Sequence, residues 1–108
     1  MKKIGLIIFL ILFSTNIFSQ ENYFKKATKI TNKMAKVLSL NKEEKSKIYE
    51  IQLHRFKRIA LIRQKYEDDP EIKNYEIKKV FNKLYGRLKG VLGKDKMKEW
   101  NEYKKMNN

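Results

Sequence analysis

The chain of 108 residues holds one histidine, His54, and no cysteine, and this narrows the covalent and metal chemistry open to it. A thiol nucleophile, a disulfide and a cysteine-based zinc site are all excluded. His54 stands among Lys47, Lys57, Arg58 and Lys65 on the polar side of a helix-forming stretch. That is the setting of a solvated histidine, not of a general base beside its nucleophile. Glu67, Asp68, Asp69 and Glu71 put four carboxylates into five positions around Pro70. They lack the alternating ligands and central glycine of a calcium loop. No glycine-rich stretch is placed to cradle a phosphate. The expectation is a protein that is not an enzyme, with no catalytic residue, no metal and no cofactor.

What remains is ionic and apolar contact, in which the chain is rich. Lysine and arginine number 26 against 12 acids, a formal net charge of +14, with 35% of residues charged. Arg55 and Arg63 lie inside an apolar arc formed by Ile48, Tyr49, Ile51, Leu53, Phe56, Ile59, Ala60, Ile62 and Tyr66. The arc covers about 200° of a helix, more than one helical neighbour requires. It should meet an internal core and also a second subunit or a client. The side chains singled out for client contact are Arg55, Phe56, Ile59, Leu61 and Arg63, with Lys29 and Lys33 as contributors. Each has a plainer reading. Phe56 and Ile59 suit a core or a dimer interface, and the arginine stems can cover apolar neighbours or pair with Glu across a dimer. Lys25, Lys26, Lys29, Lys33 and Lys36 suit a solvated face.

The elements that must position these groups follow from helical periodicity, since alternation with period two is nowhere sustained. Met1-Lys2-Lys3 and the apolar run Ile4 to Phe13 form an export signal, with cleavage expected after Ser19. Ten apolar residues rise only about 15 Å as a helix, half a bilayer core, so no stable membrane span is expected. The expected mature unit is a single all-α domain over residues 20–108, exported to the periplasm, with net charge +12 once Lys2 and Lys3 leave. A domain this small buries a modest core, which favours self-association.

A first helix is expected from Tyr23 to Leu38, with Tyr23, Ala27, Ile30, Met34, Val37 and Leu38 on one face. Asn41 and Glu44 have the spacing of a capping box that starts a second helix running to Tyr66. Asp69 and Pro70 suit the N-cap and first position of a third, which should end near Leu88, where Gly86 and Gly90 weaken it. Its apolar stripe is Ile77, Val80, Phe81, Leu84, Leu88 and Val91. A short fourth helix, Lys94 to Lys105, returns Met97, Trp100 and Tyr103 to the body.

Leu40-Asn41-Lys42-Glu43-Glu44 and Leu92-Gly93-Lys94-Asp95-Lys96 are two starts of one form, 52 residues apart. In a short, basic, helical, exported chain they resemble the paired motifs of the LTxxQ-motif family, the small Spy-like periplasmic chaperones and their relatives. Asn41 and Glu44 are capping substitutions for the family's Thr and Gln. Gly93 and Lys96 depart further and bear on the second turn's capping bond. The resemblance implies a four-helix, hairpin-like protomer in a cradle-shaped antiparallel homodimer, whose basic and partly apolar concave face holds unfolded clients without ATP. Leu40, Asn41, Glu44, Leu92, Gly93 and Lys96 would then be structural, fixing where helices turn back. Metal-sensing relatives use clustered histidines, and this chain offers only His54.

The function expected is therefore an exported, ATP-independent, chaperone-like protein that binds unfolded or acidic client proteins. The alternative is a regulator that inhibits an envelope-stress sensor by docking on the periplasmic domain of a sensor kinase. Nucleic acid is not expected as a partner despite a pI near 9.9. No zinc module, RNA-binding strand motif or helix-turn-helix glycine turn occurs, and export removes the usual ligand. Anionic lipid or surface polysaccharide would also suit basic amphipathic helices.

Overall fold

A computed structural model describes residues 22–107, and the expected signal and its cleavage point lie outside the described residues. Helix α1 covers 22–38, α2 runs Lys42–Lys65 and α3 runs Pro70–Met106, with no strand among the described residues. None of these helices is long and apolar enough to cross a membrane. The all-α expectation is met. The four-helix count is not.

α1 ends in a left-handed residue, Ser39, at φ 52. The Leu40 amide then donates to the Ala35 carbonyl at 3.0 Å, which closes the helix in the Schellman manner. Asn41 follows at once as N-cap of α2. The Glu44 amide donates to Asn41 Oδ1 at 2.8 Å, and the Asn41 amide donates to Glu44 Oε1 at 3.1 Å. This is the expected capping box, and it confines the turn between α1 and α2 to Ser39, Leu40 and Asn41. The next turn also follows its local chemistry. Asp69 accepts from the Ile72 amide at 3.2 Å, and Pro70 takes the first turn of α3, where a missing N–H costs nothing.

The third and fourth expected helices form one element with a kink, and the break falls at Gly93 rather than near Leu88. Helix continues through Gly86 and Gly90. Mid-helix glycine costs only about 1 kcal/mol against alanine, while Leu84, Leu88 and Leu92 are buried along this stretch. Gly93 has φ 83 and ψ 170, a backbone region open essentially to glycine alone. Asn41, at the matching place in the first start, has nearly the same ψ, 175, but φ −78. The glycine is thus required by a turn of opposite φ. Having no side chain, it supplies no cap of the Asn41 kind.

The kink returns Met97 and Trp100 to the body, where they join Met34, Leu38, Ile48, Leu84, Leu88 and Leu92 in the main core. Trp100 stacks on Tyr103, ring centroids 5.5 Å apart at 17°. Leu40 packs against this cluster and Leu92 lies inside it, so the leucines of both starts serve one core. α2 and α3 run antiparallel in a register that sets residue 44 opposite residue 96. Lys96 Nζ donates to Glu44 Oε2 at 2.9 Å, while Glu44 Oε1 still serves the cap. In place of a second capping box, the second start contributes a cross-link to the first.

That arrangement makes Glu44 a pH-sensitive joint. The hydrogen bond from Lys96, then the Asn41 amide, holds its carboxyl below the usual glutamate range, and burial opposes this only partly. A depressed folded value stabilises the fold above the ordinary value of about 4.3. The contribution is lost as pH falls through the lower folded value. Denaturant midpoints measured from neutral pH downward should fall in that window. The slope should be shallower for Glu44→Gln, which preserves a capping acceptor but does not titrate. An unchanged slope would place the acid sensitivity elsewhere.

Two polar side chains are buried between α1 and α2. Thr31 is 2% exposed and Gln52 is 1% exposed. Gln52 Nε2 approaches the Met34 sulfur at 3.5 Å, a weak acceptor, while Gln52 Oε1 and Thr31 Oγ1 have no hydrogen-bond partner among the described residues. The pair costs stability in the monomer, since an unsatisfied buried polar atom carries its full desolvation penalty.

Candidate functional site

Along α2 the buried line is Ile48, Gln52, Ile59 and Ile62, and the four–three spacing places Arg55 between them. An arginine is tolerated there because its stem packs while its guanidinium finds aromatic faces. The guanidinium carbon lies 4.0 Å from the Phe56 ring centroid and 5.5 Å from that of Phe81 on α3. Its buried Nε has no hydrogen-bond partner among the described residues. Burial pulls the Arg55 pKa below its ordinary value, yet arginine remains a cation at neutral pH. This partly desolvated cation rests on two rings and takes part in no ion pair among the described residues.

Arg55, Phe56, Ile59 and Arg63 line one recess of about 370 Å³, closed by Tyr23 and Lys26 of α1 and Phe81 of α3. Lys26 Nζ stands 5.9 Å from the Phe56 centroid. Four of the seven side chains expected to meet a client are therefore neighbours. Their exposures differ: Ile59 is buried, Arg55 and Phe56 are half-buried, and Arg63 is open to solvent. Leu61 lies in an adjoining recess with Phe24 and Lys57, where Lys57 Nζ is 5.4 Å from the Phe24 centroid. Tyr23 borders both. Lys29 and Lys33 are exposed on α1 and line neither recess.

Three contributors escaped the sequence reading. Tyr23 was expected on the apolar face of α1 and Lys26 on its solvated face, and nothing in a single helix shows that both meet the Arg55 turn of α2. Phe81 was expected in the core stripe of α3, but it is 46% exposed and faces the recess. The available signal was an aromatic in the half of the stripe before the main-core leucines Leu84 and Leu88. The motif residues lie elsewhere: Leu40, Asn41, Glu44, Leu92, Gly93 and Lys96 gather at the opposite end of α2 and hold turns together.

The recess is suited to non-covalent capture. It offers Lys26 and Arg63 as charges, Phe56 and Phe81 as ring faces, and Phe24 and Leu61 as apolar surface nearby. No family model, no curated protein and no solved structure matches the chain.

Proposed function

We propose that this protein is an exported, Spy-like binder that holds unfolded or acidic segments of client proteins without ATP. The observation that carries this reading is the recess in which Arg55 rests on Phe56 and Phe81 beside Arg63 and Lys26. Leu61 at 57% and Phe24 at 43% exposure extend it as apolar surface. A strongly positive chain attracts an acidic client from a distance and speeds encounter. Contact then passes to shallow ring and aliphatic surface, weak enough to release. The paired LTxxQ-like starts support the same reading, with two protomers in an antiparallel dimer widening the surface.

Suppression of aggregation by the mature protein tests it. An acidic client should be held at several-fold excess, and less well as salt shortens the Debye length from about 10 Å at 0.1 M to about 3 Å at 1 M. Leu61→Ser with Arg63→Glu alters exposed side chains only. This pair should weaken capture several-fold with helicity and melting unchanged, because surface substitutions of this kind stay within about 0.5 kcal/mol. No suppression by folded protein overturns the proposal. Tight binding to a single sensor-kinase domain, with no capture of unrelated unfolded proteins, transfers it to the regulator class.

A further inference from the structure

Arg55 also lines a second depression, a cleft of about 150 Å³ between α2 and α3 that the client reading does not use. From α2 come His54, Arg55 and Arg58; from α3 come Lys79, Lys83 and Arg87. The α3 cations recur every four residues, so they form a ladder about 12 Å long on one face of the helix. The floor is apolar, with Ile51, Val80 and the buried Leu84.

The lining has five permanent cations and one carboxylate. That carboxylate, Glu76, is engaged by Lys79 at 3.1 Å. None of the three ion pairs among the described residues involves Arg55, Arg58, Lys83 or Arg87. Like charges four residues apart destabilise a helix, and here two helices turn such charges toward the same apolar floor. Low-dielectric walls concentrate the resulting field in the cleft. The arrangement costs the monomer free energy that an anion would restore.

We propose that this cleft binds a phosphorylated anion carrying at least two phosphoryl groups. A phosphoryl group brings about −1.5 to −2 charges at neutral pH, so two of them balance the four unpaired cations. One carboxylate would leave the cleft strongly positive. Three arginine forks offer the bidentate geometry that phosphoryl oxygens accept, and the lysines add point charges along the ladder. The ligand is either a free oligophosphate or a phospholipid headgroup that carries two phosphomonoesters, since both present this chemistry. The site is separable from client capture, because only Arg55 belongs to both surfaces.

Calorimetry of the full mature chain with tripolyphosphate tests the assignment. One saturable site is expected, together with a rise in melting temperature that follows ligand concentration. Lys83→Gln with Arg87→Gln removes two exposed cleft cations and should weaken binding at least about tenfold, as loss of charge-assisted hydrogen bonds implies. Lys29→Gln with Lys33→Gln removes the same charge from α1 and should change affinity by about twofold or less. Equal losses in the two variants, many weak sites, or no binding at all would overturn the cleft. Vesicles of phosphatidylcholine with phosphatidylinositol bisphosphate, whose headgroup carries two phosphomonoesters, separate the sources. Binding that the Lys83/Arg87 variant loses and tripolyphosphate displaces assigns the headgroup; tripolyphosphate binding without vesicle binding assigns the free anion. Client capture should survive the Lys83/Arg87 change, so failure of one proposal leaves the other standing.

Discussion

Replacing Trp100 by alanine is expected to lower the unfolding free energy by about 3–5 kcal/mol, measured by urea or thermal unfolding. Trp100 is 3% exposed, lies in the main core with Leu88, Leu92 and Met97, and stacks on Tyr103. Truncation removes its apolar area and leaves a cavity that the surrounding helices can only partly close. A small domain has about 5–15 kcal/mol of stability in total, so this one change should bring the chain close to unfolding at ambient temperature. Trp100→Phe should recover most of the loss, because it refills much of the same space. A loss below about 1 kcal/mol would mean that the segment after Gly93 does not belong to the core.

Gly93→Ala should destabilise the fold by about 1–3 kcal/mol, through backbone rather than packing. A Cβ at Gly93 would meet nothing within 4 Å, so crowding is not the cause; the cause is φ 83 with ψ 170. Gly86 provides the contrast, since its Cβ would also meet nothing while its backbone is helical. Gly86→Ala should stabilise by about 0.4–1 kcal/mol, because it restricts the unfolded chain without straining the folded one. The same substitution seven residues apart should therefore act with opposite sign. Melting curves of both variants decide it, and a neutral Gly93→Ala would contradict the kink.

The helical class, the Asn41–Glu44 box and the Asp69–Pro70 start were legible because each depends on residues within four positions of one another. Gly93 was legible as the start of a last helix, but the helix before it was ended too early, near Leu88, and the conformation at Gly93 was not legible. Whether it separates two helices or kinks one depends on how Met97 and Trp100 dock. Gln52 was missed because its polarity hid its place on the four–three line, where helix geometry outweighs residue type. Arg55 was visible as a charge inside an apolar arc, and its two aromatic partners show why it is tolerated. Phe81, Tyr23 and the Lys83–Arg87 side of the cleft depend on register between helices, which periodicity along one helix does not carry.

The main core is gathered where the two starts meet: Leu38, Ile48, Leu92, Met97 and Trp100 all lie near that end. Toward the Tyr66 turn, burial on α1 and α2 thins to Ala27, Ile59 and Ile62. The free energy of local opening follows buried contact density, so it is uneven along α2. The end at the two starts is therefore expected to open only with global unfolding, and the other end to open at lower cost, which amide hydrogen exchange would show as stronger protection near Ile48 than near Ile62. The recess around Phe56 and Arg63 occupies the compliant end. On the proposed reading, a client held there would be accommodated by small helix movements while the end at the two starts stays folded, so adaptability to dissimilar clients would come from graded rigidity rather than from a hinge or a disordered loop.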